Sequence, residues 1–274
     1  MNAFFAKSYH GCLLWYAFFM IIVSNWKAYV DTREKAEALI KKAKRARGKR
    51  TFLNTSIIPI IAPPFPLIGL LGKKISPLQI AAQDVSDVGT GSGTGEVTAR
   101  LLRDIGVTHV IIGHSERRLR GETDEMVHEK ILRAFSEGLS PILCIGERVR
   151  DKDAVYLSFL REQIHTACRD IPLKEAKKLI IAYEPVWAIG KSAGEAMRPD
   201  ELEETVLYIR KILSECLPER LSLSIPVLYG GSVEADNAFL LIKQGRIQGL
   251  LVGRGSVDTE AYDALVKSLT EIKK

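Results

Sequence analysis

Three side chains able to move or stabilise charge stand just beyond short apolar runs of this 274-residue chain: Lys27 after residues 20–24, His114 after 109–113 and Glu184 after 179–183. A carboxylate can carry a proton between carbons, an imidazole can polarise an oxygen, and an ammonium can stabilise the charge that develops there. Two glycine-bearing turns, Gly230-Gly231-Ser232 and Gly253-Arg254-Gly255-Ser256, follow the last two apolar runs. Glycine permits the close backbone approach by which peptide N–H groups hold an anion. The set suits a phosphorylated carbonyl compound. Each residue alone has a plain structural explanation; their recurrence at one kind of position gives them weight.

That position requires a scaffold. The apolar runs are 20–24, 57–62, 79–83, 109–113, 141–145, 179–183, 226–229 and 249–252. They are too continuously apolar for a sheet face open to water, which predicts parallel strands buried on both faces. Their ends recur about every 33 residues, the length of one βα unit. Charged segments of helical period lie between them. Asp31-Thr32-Arg33-Glu34 and Pro199-Asp200-Glu201 open two of these helices, and Gly138 and Gly245 close two others. With no linker-like stretch, the pattern predicts an α/β fold, a single (β/α)8 barrel. A doubly wound open sheet is the alternative, but no GxGxxG follows the first run. In such a barrel, function gathers where strands end. Ser24-Asn25-Trp26-Lys27, Gln83-Asp84, Gly113-His114-Ser115-Glu116, Glu147 and Glu184-Pro185 occupy those places.

Composition narrows the class further. Apolar residues make up 46% and charged residues 26%, which excludes intrinsic disorder, collagen-like repeats and a multi-span membrane protein. A net charge of +6 mildly favours anionic ligands. The run from Lys41 to Arg50 is densely cationic but has no interleaved aromatic residues. It reads as a solvated helix end, and no nucleic-acid partner is expected. Cys12, Cys144, Cys168 and Cys216 form no CxxC pair and no metal spacing, so they read as structural thiols of a reducing, cytoplasmic compartment. No metal is expected. The uncharged run 11–23 is short for a membrane span and long enough for a signal-peptide core. Cleavage after it would remove the first strand. The expected organisation is therefore a poorly ordered extension over 1–17 and a catalytic barrel over 18–274, without membrane attachment. Met20 is a candidate natural start.

Asn25-Trp26-Lys27, Gly113-His114-Ser115-Glu116-Arg117-Arg118, Ala182-Tyr183-Glu184-Pro185-Val186-Trp187-Ala188-Ile189-Gly190 and Tyr229-Gly230-Gly231-Ser232-Val233 resemble signature segments of the triosephosphate isomerase family. Cys144-Ile145-Gly146-Glu147 and Leu251-Val252-Gly253 are similar too, and the likeness runs in order from about residue 21 to 268. The resemblance implies cofactor-free interconversion of dihydroxyacetone phosphate and glyceraldehyde 3-phosphate. It implies that Glu184 shuttles the proton, His114 polarises the carbonyl, and Lys27 with Asn25 binds substrate oxygens. Gly190, Ser232, Gly253 and Arg254 would offer backbone N–H groups to the phosphate. Residues 185–190 would form a closing lid. Gly91-Ser92-Gly93-Thr94-Gly95-Glu96 resembles the loop by which family members dock on a second copy, so a homodimer with Thr94 at the contact is expected.

The chain departs from the family pattern in three places. Lys191-Ser192-Ala193-Gly194-Glu195-Ala196-Met197-Arg198 is longer than the usual segment after the lid, which places a second hinge at Ala193-Gly194. Arg254 and Ser24 occupy positions that are commonly glycine. Arg254 is tolerable where φ is negative. Two other functions remain to be weighed. A non-catalytic barrel that keeps only the phosphate cradle has no need of both His114 and Glu184. The phosphosugar isomerases of histidine or tryptophan synthesis are not expected to share the Asn-Trp-Lys and Tyr-Glu-Pro-Val-Trp runs.

Overall fold

The structure is a computed structural model and describes residues 19–151, 153–191 and 196–271. Eight parallel strands follow one another: β1 (Phe19–Asn25), β2 (Ser56–Ala62), β3 (Gln79–Ala82), β4 (His109–Ile112), β5 (Ser140–Ile145), β6 (Ile180–Tyr183), β7 (Val227–Tyr229) and β8 (Gly249–Val252). Each pairs with the next, and β8 returns to β1, closing a barrel in chain order. The closing register sets Ile21 opposite Gly249 and Ser24 opposite Val252. Gly249 permits that approach, since a Cβ there would lie 2.1 Å from the Ile21 carbonyl oxygen.

The strand interiors are apolar because both of their faces are covered. Val23 points into the barrel with Ile60, Ile111, Ile142 and Leu228, whereas Ile22 joins the layer between sheet and helices. Branched side chains pack well on such a pleated surface. The outer helices are α1 (Arg33–Ala46), α2 (Phe65–Leu71), α3 (Ala99–Asp104), α4 (Ser115–Arg118), α5 (Asp124–Ser136), α6 (Val155–Cys168), α7 (Leu173–Ala176), α8 (Pro199–Cys216), α9 (Glu219–Ser222), α10 (Ala235–Gln244) and α11 (Thr259–Thr270). Thr32, Thr123 and Asp258 cap α1, α5 and α11 by accepting backbone N–H bonds. In α8 the buried stripe is Leu202, Val206, Ile209, Ile212 and Leu213. Each large apolar side chain so buried contributes roughly 1.5–3 kcal/mol.

The expected runs and the observed strands differ mainly at their ends. Gln83 and Gly113 lie just past β3 and β4, so both belong to the loops that build the site. Gly138 takes the left-handed φ of +73° expected after a helix end. Gly245 does not: its φ is −78°. It is glycine for space, because a Cβ there would lie 2.6 Å from Leu202 Cδ2 and 2.5 Å from the Leu241 oxygen. The cationic run ends α1, where Lys44 Nζ donates to the Lys74 oxygen at 2.7 Å and Lys42 pairs with Asp263. The extension over 1–17, Cys12 and the hinge at Ala193-Gly194 lie outside the described residues. Among the described residues, no helix is long and apolar enough to cross a membrane.

Candidate active site

The loops at the carboxyl ends of the strands enclose a cavity of about 610 Å³. Asn25, Lys27, His114 and Glu184 line it, although they come from three different strand ends, those of β1, β4 and β6. Gly190, Ser232, Gly253 and Arg254 line the same cavity. All eight residues singled out from the sequence therefore share one chamber.

Glu184 follows β6 directly, and its backbone N–H donates to the Ile145 oxygen at 2.7 Å. That contact needs Gly146, where a Cβ would sit 1.9 Å from the Glu184 carbonyl oxygen. Glu184 is only 3% exposed. Its Oε1 lies 3.3 Å from His114 Nε2, and its Oε2 accepts the Ser115 N–H at 3.4 Å. Beneath it, burial and then the Glu184 carboxylate push the Cys144 thiol well above its ordinary range.

His114 caps the short helix α4. Its Nδ1 accepts the Glu116 N–H at 3.2 Å. A ring that accepts at Nδ1 carries its proton on Nε2, so a donor faces both Glu184 and the cavity.

Lys27 has φ of +47°, rare for a residue with a side chain and a cost of about 1–3 kcal/mol. Three contacts hold it. Its N–H donates to Asn25 Oδ1 at 3.1 Å, its oxygen accepts from Gln83 Nε2 at 2.9 Å, and its Nζ pairs with Glu116 Oε1 at 2.8 Å. Gln83 also donates to the Ala62 oxygen at 2.9 Å, tying the loop to the end of β2. Burial alone would raise the Glu116 carboxyl, but the bonded Lys27 ammonium holds it below the usual carboxylate range. Sequence reasoning placed Gln83 and Glu116 on the rim without these roles, because their partners lie 56 and 89 residues away.

The segment expected to form the lid starts as a 3-10 turn over Val186–Ala188. Glu147 fixes its beginning. The Trp187 indole N–H donates to Glu147 Oε1 at 2.8 Å, and the Tyr183 hydroxyl donates to the same oxygen at 2.9 Å. Burial, with Glu147 beside it, raises the Tyr183 phenol well above its ordinary value. Farther along, the Ser232 hydroxyl donates to the Ala188 oxygen at 2.9 Å, joining the lid to the turn after β7. Gly190 has φ of +77°, the left-handed region that favours glycine. Arg254 lies in a short turn after β8 and is absent from the residues of positive φ, so its Cβ is accommodated. Its Nη2 reaches to 3.8 Å from where a Cβ on Gly190 would be. Ser24, the other departure from glycine, is buried next to the Tyr262 phenol. Among the described residues, no cluster of three or more His, Cys, Asp or Glu is placed to hold a metal ion.

The arrangement pairs a buried carboxylate with an imidazole N–H, adds a lysine on the same cavity lining, and includes glycine-rich turns. Comparison with known proteins agrees with it. The family model for triosephosphate isomerase matches residues 20–269. A triosephosphate isomerase of Fusobacterium nucleatum is 36% identical over 253 residues, spanning 91% of this chain and 98% of that protein. The enzyme of Carboxydothermus hydrogenoformans is also 36% identical, over 90% of this chain and 97% of its own. That of Protochlamydia amoebophila is 35% identical, over 90% and 92%. The chain belongs to the triosephosphate isomerase family.

Proposed function

We propose that the chamber interconverts dihydroxyacetone phosphate and glyceraldehyde 3-phosphate, with Glu184 as base, His114 as electrophile and Lys27 as cation. The observation that carries this reading is the 3.3 Å approach of Glu184 Oε1 to His114 Nε2 on the wall of the cavity. A substrate seated in the cavity over this pair would offer its carbon-bound proton to the carboxylate and its carbonyl oxygen to the imidazole N–H. Removing the proton drives charge onto that oxygen, where His114 and the Lys27 ammonium stabilise the enediolate. Glu184 then returns the proton to the neighbouring carbon. Oxidation of one carbon balances reduction of the other, so no hydride carrier is needed. Asn25 supports Lys27 and faces substrate oxygens. The turns bearing Gly190, Ser232, Gly253 and Arg254 would cradle the phosphate with backbone N–H groups. Closure of the lid would exclude water from the enediolate.

A coupled assay on glyceraldehyde 3-phosphate tests the reading. The wild type turns over, and Glu184→Gln lowers kcat by about 10²–10⁴-fold while leaving the fold intact. Equal rates would remove Glu184 from the role of base.

The working unit is a cytoplasmic homodimer without membrane attachment, built on a barrel of residues 18–274 that carries 1–17 as an appended segment. Residues 90–96, including Thr94, are all exposed in the single chain, as a loop that docks on a second copy would be. Free thiols at Cys144, Cys168 and Cys216 are in keeping with a reducing compartment. Light scattering at micromolar concentration gives a dimer mass; a monomer mass would end the dimer proposal.

A further inference from the structure

Cys168 ends α6 and Cys216 ends α8, and these two helices pack side by side. Helices of the barrel run back toward the amino ends of the strands, so both thiols lie at the end opposite the active-site cavity. Cys168 is buried and 7% exposed, whereas Cys216 is half-buried and reachable from solvent. The Cys216 sulfur is 3.6 Å from His165 Nδ1. His165 Nε2 in turn lies 3.3 Å from Glu215 Oε2, and Arg161 Nη2 holds the other oxygen of Glu215 at 3.1 Å. A ring whose Nε2–H faces a carboxylate leaves Nδ1 free to take a proton from the thiol. A thiol, an imidazole and a carboxylate thus stand in line, with Cys168 at the end of the helix packed alongside.

We propose that Cys216 and Cys168 form a peroxide-sensitive dithiol, in which Cys216 is the nucleophile and Cys168 closes a disulfide with it. The electrostatics assign the two parts. The neighbouring Cys168 thiol, against the cost of burial, lowers Cys216 to about 7. Nearby His165 acts in the same direction, Glu215 opposes it, and Arg161 offsets Glu215. The same neighbour relation, together with burial, raises Cys168 well above the ordinary thiol range. The accessible sulfur ionises more readily and the sheltered one keeps its proton, which is the division of labour that an attacking and a resolving thiol require.

In the first step the Cys216 thiolate attacks one oxygen of a hydroperoxide, the O–O bond breaks, and the departing oxygen takes the proton that His165 drew from the thiol and leaves as water or an alcohol. Sulfur loses two electrons to become a sulfenic acid, and the peroxide gains them. In the second step Cys168 gives up its proton and attacks the Cys216 sulfur. The S–S bond forms, the S–O bond breaks, and hydroxide leaves as water with that proton.

The test exposes the purified full chain to an equivalent amount of hydrogen peroxide and maps thiols by non-reducing mass spectrometry. The wild type yields a cross-linked Cys168–Cys216 peptide and a chain lighter by about 2 Da, both reversed by dithiothreitol. Cys168→Ser keeps full activity in the coupled assay but stops at a sulfenic acid on Cys216, captured as a dimedone adduct. His165→Asn slows the loss of the Cys216 thiol, whereas Cys216→Ser leaves Cys168 unoxidised. Treated wild type in which Cys168 and Cys216 both remain alkylatable overturns the proposal. So does oxidation that falls first on Cys144 or Cys12, or a sulfinic acid on Cys216 with Cys168 still free.

Discussion

Gly230 and Glu184 share one space: a Cβ on Gly230 would lie 2.6 Å from Glu184 Cγ and 3.3 Å from its Oε1. The glycine after β7 therefore leaves room for the carboxylate itself, in addition to any part its turn plays in holding phosphate. Gly230→Ala should force the Glu184 side chain out of line with His114 while leaving the barrel folded. A displacement of about 1 Å of a reacting group lowers kcat by about 10²-fold. The control is the double variant. In a Glu184→Ala background the clash is gone, so adding Gly230→Ala should change the residual rate little. An unchanged kcat in Gly230→Ala alone would show that the carboxylate has another place to go.

The positive φ of Lys27 is held by Gln83, whose Nε2 donates to the Lys27 and Ala62 oxygens, both at 2.9 Å. Gln83→Ala removes both bonds and leaves two carbonyl oxygens without this donor. Stability should fall by about 1–2 kcal/mol in chemical denaturation. More tellingly, KM for the triose phosphate should rise, because the ammonium loses its fixed origin. A variant that is less stable yet keeps the wild-type KM would confine Gln83 to a structural part.

Much of this architecture is readable in the chain because its causes are local. Residues 249–252 form a strand over the bounds expected from their apolar run, and Thr32 caps a helix where the Asp-Thr-Arg-Glu pattern expects one. Burial on both faces erases the polar alternation that would mark an open sheet, and charge appears abruptly where a strand leaves the core. What could not be read are the contacts set by how the barrel closes. The collision between positions 184 and 230, the reach of Gln83 to Lys27, and the pairing of Lys27 with Glu116 depend on stagger between strands. So does the meeting of Cys168 with Cys216, whose sequence neighbourhoods mark neither as reactive. Gly245 gives the converse lesson, since a glycine at a helix end is set there by crowding against Leu202 rather than by φ.

Arg254 carries a guanidinium to a site where the family commonly has none. With its Nη2 close to the space beside Gly190, it reaches across the mouth of the proposed phosphate cradle. Arg254→Gly keeps the backbone N–H and removes only the cation. KM should rise roughly three- to tenfold with kcat little changed, the loss expected of one charge-assisted contact to a dianion. The wild-type KM should also climb more steeply with salt than that of the variant. Identical salt dependence in the two proteins would mean that the side chain stays in solvent.

His109 opens β4 at the amino end of the barrel, away from the chemistry, and burial lowers its imidazole from 6.5 to about 4. Its Nδ1 lies 2.8 Å from Thr108 Oγ1, whose own proton goes to the Ile80 oxygen at 3.0 Å. The ring therefore donates from Nδ1, and a second proton could enter only at Nε2, as a buried charge. The folded pKa is depressed below the unfolded value, so the neutral ring favours folding above pH 6.5. Below that, the unfolded chain takes up a proton that the native one refuses. Stability falls until the folded ring also titrates near pH 4, by a total on the order of 3 kcal/mol. His109→Gln cannot take part in this exchange. Denaturation curves should therefore show the wild type losing about 2 kcal/mol more than the variant between pH 7 and pH 5. The carboxylates common to both proteins cancel in that difference. Parallel pH profiles would mean that His109 admits its second proton without cost, through water reaching Nε2 at the foot of the barrel.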